Sequence, residues 1–378
     1  MRILVACDSF KDALPAAAVC KAIADGIKES RRDLCVIEFP LADGGEGTVE
    51  VLTQHLGLRT VQVPSVDPLF RTITASYGIS ADGRTAVIEM AAASGLQLLS
   101  PDERDALTTT TFGTGLLIAD ALRRGAAHLV MAIGGSATND AGIGAAAALG
   151  WRFLDAQGNE LKPVGASLTS VARVLPPARS IAARIDVMCD VTNPLYGPQG
   201  AAHVYAQQKG ADEAAIKLLD AGLKKIARCV AEDLQLPEIA NLPGAGAAGG
   251  LGFGAVSFLG ANLRRGIELI MDLTQIDAAM ESSDLIITGE GQLDGQTLQG
   301  KLIHGICQRA KRYSVPVIAL CGRLSASAEQ LRAIGLHSAF SINEIEQSLP
   351  QMLARTAENL QRKARLLMAA EPPTGSGL

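Results

Sequence analysis

The sequence predicts an α/β protein made of two α/β domains: a discontinuous Rossmann-like parallel-sheet domain and an inserted α/β domain containing hairpins. Three observations lead there. Short apolar runs alternate with helical periodicity at both ends of the chain. Hairpin signals occur only in the middle. A length of 378 residues exceeds what one ordinary core covers.

The elements follow in order. Ile3–Ala6 is an apolar run suited to a buried strand, and the loop DSFKD follows it. Pro15 suits a first helical turn and opens a helical pattern through Lys28. Cys35–Phe39 reads as a second strand, followed by PLADGGEGT and a helix ending near Gly57, and Arg59–Val63 reads as a third strand. ITASYGIS and RTAVIEM then flank Ala81-Asp82-Gly83, a hairpin turn, and a second hairpin is expected in WRFLDAQGNEL around Gln157-Gly158. Beyond Ser283 the alternation returns, with strands at Asp284–Thr288, Val315–Leu320 and His337–Ile342, and one long amphipathic helix from Ile345 to Met368. These signals place residues 1–65 with 282–378 in one parallel sheet and make 66–281 the insertion, with two sequential domains as the alternative.

Composition narrows the function. Aromatics are only 3% of residues, too few for platforms that stack single-stranded nucleic acid. A net charge of −5 argues against a duplex-binding surface. The seven scattered cysteines lack CxxC spacing and read as reduced thiols of a cytoplasmic protein. The uncharged stretch Ile239–Leu263 contains Pro243 and seven glycines, so no spanning helix is expected there. The oligomeric state is left open, a homodimer among the options.

Five polar loops fall at the carboxyl ends of expected strands: Asp8-Ser9-Phe10-Lys11, Asp43–Thr48, Gly134–Asp140, Asp190–Pro194 and the stretch TGEGQLDG after Thr288. Parallel sheets bind ligands at such ends, where helix N-termini favour anions. IGGSATNDAG is the strongest anion cradle, with Gly134 and Gly135 allowing close approach, Ser136 and Thr138 offering hydroxyls, and a helix opening at Ala141. Thr111–Gly115 opens another helix and could add a second cradle.

Two motifs mislead. GQTLQGKL matches the P-loop pattern except at its end, where Leu302 replaces the metal-binding Ser or Thr. Glu290 and Asp294 also precede it, and they suit metal or hydroxyl contacts, while Lys301 is a candidate phosphate contact. Gly244–Gly249 fits GxGxxG but follows a turn instead of a strand, so close packing on small residues is the expectation. The donors on offer are oxygens, which suits Mg²⁺ over zinc. From the residues alone, the chain reads as a phosphoryl-transfer enzyme using a metal nucleotide.

The stretches DSFKD, PLADGGEGTVE, VIEMAAASGLQLL, TTTFGTG, AIGGSATNDAG, CDVTNPLYGPQGA, PGAGAAGGLG and TGEGQLDGQTLQGK occur in one order over residues 8–301. With them the chain closely resembles bacterial D-glycerate kinases of the type-1 family. The resemblance implies ATP-dependent phosphorylation of D-glycerate, at the 2-hydroxyl, with Mg²⁺ and with the active site in a cleft between two α/β domains. Departures from the family pattern fall at Asp12, at Phe70 (where DPLG is usual), at Leu116, at Ala141 (where Gly is frequent) and at Gln292 (where Arg is frequent).

On this reading Asp190 accepts the hydroxyl proton, since Asn193 and Pro194 can fix its loop, with Asp43 and Lys11 completing the catalytic set. Gly134, Gly135, Ser136, Thr138, Asn139 and Lys301 are expected on ATP, and Asp8, Ser9, Arg71, Asn193 and Asp294 on the acceptor. Glu290, Asp294 and Asp43 are the expected Mg²⁺ ligands. The rivals are a kinase forming 3-phosphoglycerate, an NAD-dependent hydroxy-acid dehydrogenase and a non-catalytic ligand sensor.

Overall fold

The computed structural model describes residues 1–45, 47–236, 239–294, 302–343 and 348–369. The chain divides into two compact units, Met1–His55 with Arg265–Leu378, and Leu56–Arg264.

The first unit carries a five-stranded sheet whose spatial order is Ser338–Ser341, Val317–Leu324, Leu285–Leu293, Arg2–Cys7 and Cys35–Glu38. All four pairings are parallel. Both faces are covered, so the strands read as continuous apolar runs: Ile3 to Cys7 and Leu285 to Ile287 are wholly buried. The helix Ala16–Ser30 buries Val19, Ile23 and Ile27 at helical spacing. It packs against Thr356–Ala369, where a Cβ on Gly26 would overlap the Gln361 carbonyl.

The second unit holds a six-stranded mixed sheet, ordered Asn262–Arg264, Arg184–Met188, His128–Ala132, Thr85–Glu89, Thr72–Ile79 and Arg59–Val66. The first four run parallel, and the hairpin at Ala81–Gly83 turns the sheet antiparallel. Its core gathers the lone tryptophan, Trp151, against Phe258 at a centroid distance of 5.2 Å.

Three expectations are corrected. Arg59–Val66 does not join the first parallel sheet; it pairs antiparallel with Thr72–Ile79 throughout its length. Val61 and Val63 face that sheet's core, and local sequence carries no signal of which sheet an amphipathic strand will enter. The turn at Asp155–Gly158 forms, but its return limb is a single bridge from Leu154 to Glu160, and Arg152–Leu154 pairs with Arg173–Leu175. The helix expected over 345–368 is two helices, Leu349–Ala354 and Thr356–Ala369, broken at Arg355 (φ −104°, ψ 10°), while residues 345–347 lie outside the described set.

All seven cysteines are free thiols. Among the described residues no helix is long and apolar enough to cross a membrane, and Ala247–Leu259, in the uncharged stretch, has only 13 residues.

Candidate active site

In the first unit the chain leaves Arg2–Cys7 in one direction to reach Cys35–Glu38 and later adds Leu285–Leu293 on the other side. The two neighbours Arg2–Cys7 and Leu285–Leu293 therefore flank the point where strand order reverses, the usual position of a ligand crevice in such sheets. Their carboxyl ends carry acids. The Asp8 N–H donates to the Gly289 carbonyl at 3.0 Å, continuing the Cys7–Gly289 register and bringing Asp8 beside Glu290.

Glu290 is 7% exposed, and alternation along its strand puts Glu290 and Gln292 on a common face, with Asp294 just past the strand's end. The Gln292 amide donates to Asp294 at 2.7 Å. Across the ladder Glu290 pairs with Cys321; burial, with the Glu290 charge adding, pushes that thiol up to about 12.

The Asp8 carboxylate accepts the N–H of the next residue, Ser9, at 2.7 Å. Asp43 accepts the Gly45 N–H at 3.0 Å in an Asx turn, and Thr48 opens its helix by donating to the Gly45 carbonyl. Beside these two loops lies a pocket of about 320 Å³ including its open mouth, lined by Asp8, Ser9, Leu41, Ala42, Glu50 and Val51. Lys11 is exposed on the same loop as Asp8. Lys301 lies outside the described residues.

Asp43, Glu290 and Asp294 offer oxygen donors, the chemistry Mg²⁺ requires. Among the described residues no three of His, Cys, Asp or Glu converge as a metal-binding group. A site of one or two carboxylates completed by phosphate and water suits Mg²⁺, which seldom takes an all-protein cage.

In the second unit, the loop Gly134–Asp140 leaves the strand His128–Ala132. Gly134 and Gly135 are exposed, Ser136 is 7% exposed, and Thr138, Asn139 and Asp140 are fully buried. The helix ends expected to cradle an external anion are already engaged. The Asp140 carboxylate accepts from Thr111 N–H (2.7 Å), Thr111 Oγ1 (2.8 Å), Gly142 N–H (3.0 Å) and Gly144 N–H (3.2 Å). It thus caps both Phe112–Arg123 and Ile143–Ala148, and the favourable charge at each N-terminus is met from within the protein. Burial raises the Asp140 carboxyl above its ordinary value against these donors.

Residues 134–139 retain polar groups suited to a ligand. The Thr138 hydroxyl and both polar atoms of the Asn139 amide are buried and, among the described residues, have no hydrogen-bond partner. Such atoms cost about 1–3 kcal/mol each when left unpaired. The sequence gives no sign of the neighbour that holds this loop. Lys209 is 1% exposed, and its ammonium donates to Ser136 Oγ at 2.6 Å and to the Thr138 carbonyl at 2.7 Å. Burial lowers the lysine to about 7, with the Asp140 charge opposing the shift. Nothing in QQKG marks it, because only the fold brings it to the loop.

Gly244–Gly249 backs the same loop. Ala248, Gly249 and Gly250 are left-handed, and at φ +68° a Cβ on Gly249 would overlap the Thr138 carbonyl. The run is a close-packing device, as the sequence context suggested, and it follows a turn, not a strand.

Asp190 is exposed just beyond the strand Arg184–Met188. Its loop is braced at Asn193, whose amide donates to the Gln199 carbonyl (2.8 Å) and whose oxygen accepts the Tyr205 hydroxyl (2.7 Å). Asn193 thus braces the loop. Arg71 is similarly occupied: its guanidinium pairs with Asp67 and Glu103 at 2.5 Å each and reaches the Leu98 carbonyl.

The comparisons with known proteins agree with one another. The glycerate kinase family model matches residues 3–370. A glycerate kinase of Bacillus cereus is 41% identical over 98% of this chain and 97% of its own length. A glycerate 2-kinase of Escherichia coli is 40% identical over 98% of this chain and 97% of its own length. A solved structure from Salmonella typhimurium LT2, provisionally assigned as glycerate kinase 2, superposes with a TM-score of 0.87 at 44% identity, covering 98% of this chain and 97% of that one. The chain belongs to the glycerate kinase family.

Proposed function

We propose that this protein transfers the γ-phosphoryl group of ATP to the 2-hydroxyl of D-glycerate, giving 2-phospho-D-glycerate and ADP. The observation that carries the reading is the acidic pair Asp8 and Glu290 at the reversal point of a parallel sheet, in a chain whose relatives are named glycerate kinases. Phosphoryl transfer asks a protein for positioning and charge neutralisation more than for covalent chemistry.

The glycerate 2-oxygen attacks phosphorus in line, the bond from phosphorus to the β,γ-bridging oxygen breaks, and ADP leaves with that electron pair. The hydroxyl proton passes to the Asp190 carboxylate, whose exposure on a braced loop supports a general-base role. Asp8 and Ser9 orient the acceptor, and Lys11 neutralises its carboxylate. Gly134, Gly135, Ser136, Thr138 and Asn139 bind the nucleotide phosphates through backbone and hydroxyl donors. Mg²⁺, when bound with the nucleotide, would be held by one or two of the carboxylates of Asp43, Glu290 and Asp294, with phosphate and water completing its shell, and would offset the phosphate charge. Arg71 and Asn193 hold their loops through their internal bonds and keep further N–H donors for the acceptor. The buried thiols fit a reducing, cytoplasmic location.

A coupled assay for ADP tests the reading: ADP formation from MgATP should require D-glycerate. Tight binding of either ligand without turnover would instead indicate a sensor.

A further inference from the structure

Lys209 follows the helix Ala201–Tyr205 and carries its side chain into the interior of the second unit. An ammonium loses its hydration on burial, so lysines are almost never fully buried unless paired. Here the nearby carboxylate of Asp140 is already shared among the donors of Thr111, Gly142 and Gly144. The two acceptors that Lys209 contacts are both in the loop 134–139.

The donor count gives this contact a consequence. An ammonium can only donate, so Ser136 Oγ is the acceptor and must direct its own hydrogen elsewhere. A hydroxyl that accepts from a cation is a stronger donor, and phosphate oxygens are acceptors only. Ser136 adjoins the exposed Gly134 and Gly135 and the unpartnered Thr138 hydroxyl and Asn139 amide.

We propose that Lys209 is a positioning residue for phosphate recognition, holding the loop 134–139 and fixing the Ser136 hydroxyl as a donor to a nucleotide phosphate. The proposal depends on the reading of that loop as the nucleotide-phosphate site. Asp140 is the charged group acting on Lys209, and the following Gly210 packs on the backbone of Arg104. Because burial holds Lys209 to about 7, the ammonium beneath the loop is lost as pH rises through neutrality.

The test compares wild type, Lys209→Met and Ser136→Ala by calorimetric ADP binding from pH 6 to 9, with steady-state kinetics beside it. Lys209→Met should raise KM for ATP by about 10-fold or more, as expected for a charge-assisted hydrogen-bond relay. It should change kcat by less than about 3-fold. Its ADP affinity should lack the fall expected of wild type above neutral pH. A folded Lys209→Met with wild-type ADP affinity and pH profile overturns the proposal if Ser136→Ala weakens binding. If neither variant changes ADP affinity, the loop reading itself fails. Should Lys209→Met not fold, wild type and Ser136→Ala decide: the affinity contributed by Ser136 shrinks above pH 8 if the ammonium drives it. A Ser136 contribution that stays constant with pH refutes it.

Discussion

Replacing Asp140 with alanine tests the claim that this carboxylate serves the fold and not the ligand. The substitution strands three buried N–H donors, those of Thr111, Gly142 and Gly144, which now lie 2.7–3.2 Å from its oxygens. The fourth donor, the Thr111 hydroxyl, can turn away and still accept from Ala145 N–H at 2.9 Å. Each stranded donor costs about 1–3 kcal/mol, less where water enters the space vacated, so a loss of about 4–6 kcal/mol is expected. Asp140→Asn keeps one acceptor oxygen and should lose roughly half as much. Against a typical total of about 5–15 kcal/mol, the alanine variant stands close to unfolding. Trp151 makes the assay specific, because it is the lone tryptophan and is buried in the core of this unit. Urea titration followed by its emission should show the midpoint fall for Ala and, by less, for Asn. A loss below about 1 kcal/mol for Asp140→Ala would refute the reasoning.

Three further outcomes are expected. Asp190→Asn should lower kcat by about 10²–10⁴ with KM for ATP little changed, and a near-wild-type kcat would remove Asp190 from the base role. Gly249→Ala should destabilise the second unit by about 2–5 kcal/mol, from left-handed strain plus overlap with the Thr138 carbonyl, and raise KM for ATP; wild-type values for both would contradict the packing described. Asp186 is buried, and although burial raises its pKa, hydrogen bonds from His128 and Arg184 (2.8 Å each) prevail and leave it lowered. A lowered carboxyl stabilises the fold fully above its unfolded value near about 4 and loses that contribution as pH falls through the folded value. The stability gap between wild type and Asp186→Asn should thus be steady from about pH 5 to 7 and shrink below about pH 4. A gap unchanged at about pH 3 would count against it.

Much of the fold could be read from the chain because buried parallel strands write themselves as apolar runs. Arg2–Cys7, Leu285–Leu293 and Val317–Leu324 carry such runs at Ile3–Cys7, Leu285–Ile287 and Val317–Cys321, where they overlap the expected strands, while the polar half of Leu285–Leu293 extends beyond its expected end. The misplaced strand Arg59–Val66 shows the limit: its alternation reveals a two-faced strand but not its partner. The break at Arg355 leaves the apolar periodicity on both sides intact, so no pattern announces it. Two departures from the family pattern acquire a physical meaning, since Phe70 (φ +64°) and Ala141 (φ +53°) adopt the left-handed backbone that the glycine usual there accepts freely. At the site, strand-end acids and glycines were visible one loop at a time. That Asp140 would consume two helix ends, that Arg71 and Asn193 would be bound up internally, and that Lys209 would reach Ser136 all follow from tertiary contacts that no local spacing encodes.

The most direct test of the account is phosphorus NMR of the product formed from D-glycerate and MgATP. The expected spectrum shows ADP and a phosphomonoester coupled to the C2 proton, identifying 2-phospho-D-glycerate. A signal coupled to the C3 methylene protons, or unchanged ATP after prolonged incubation, would contradict it.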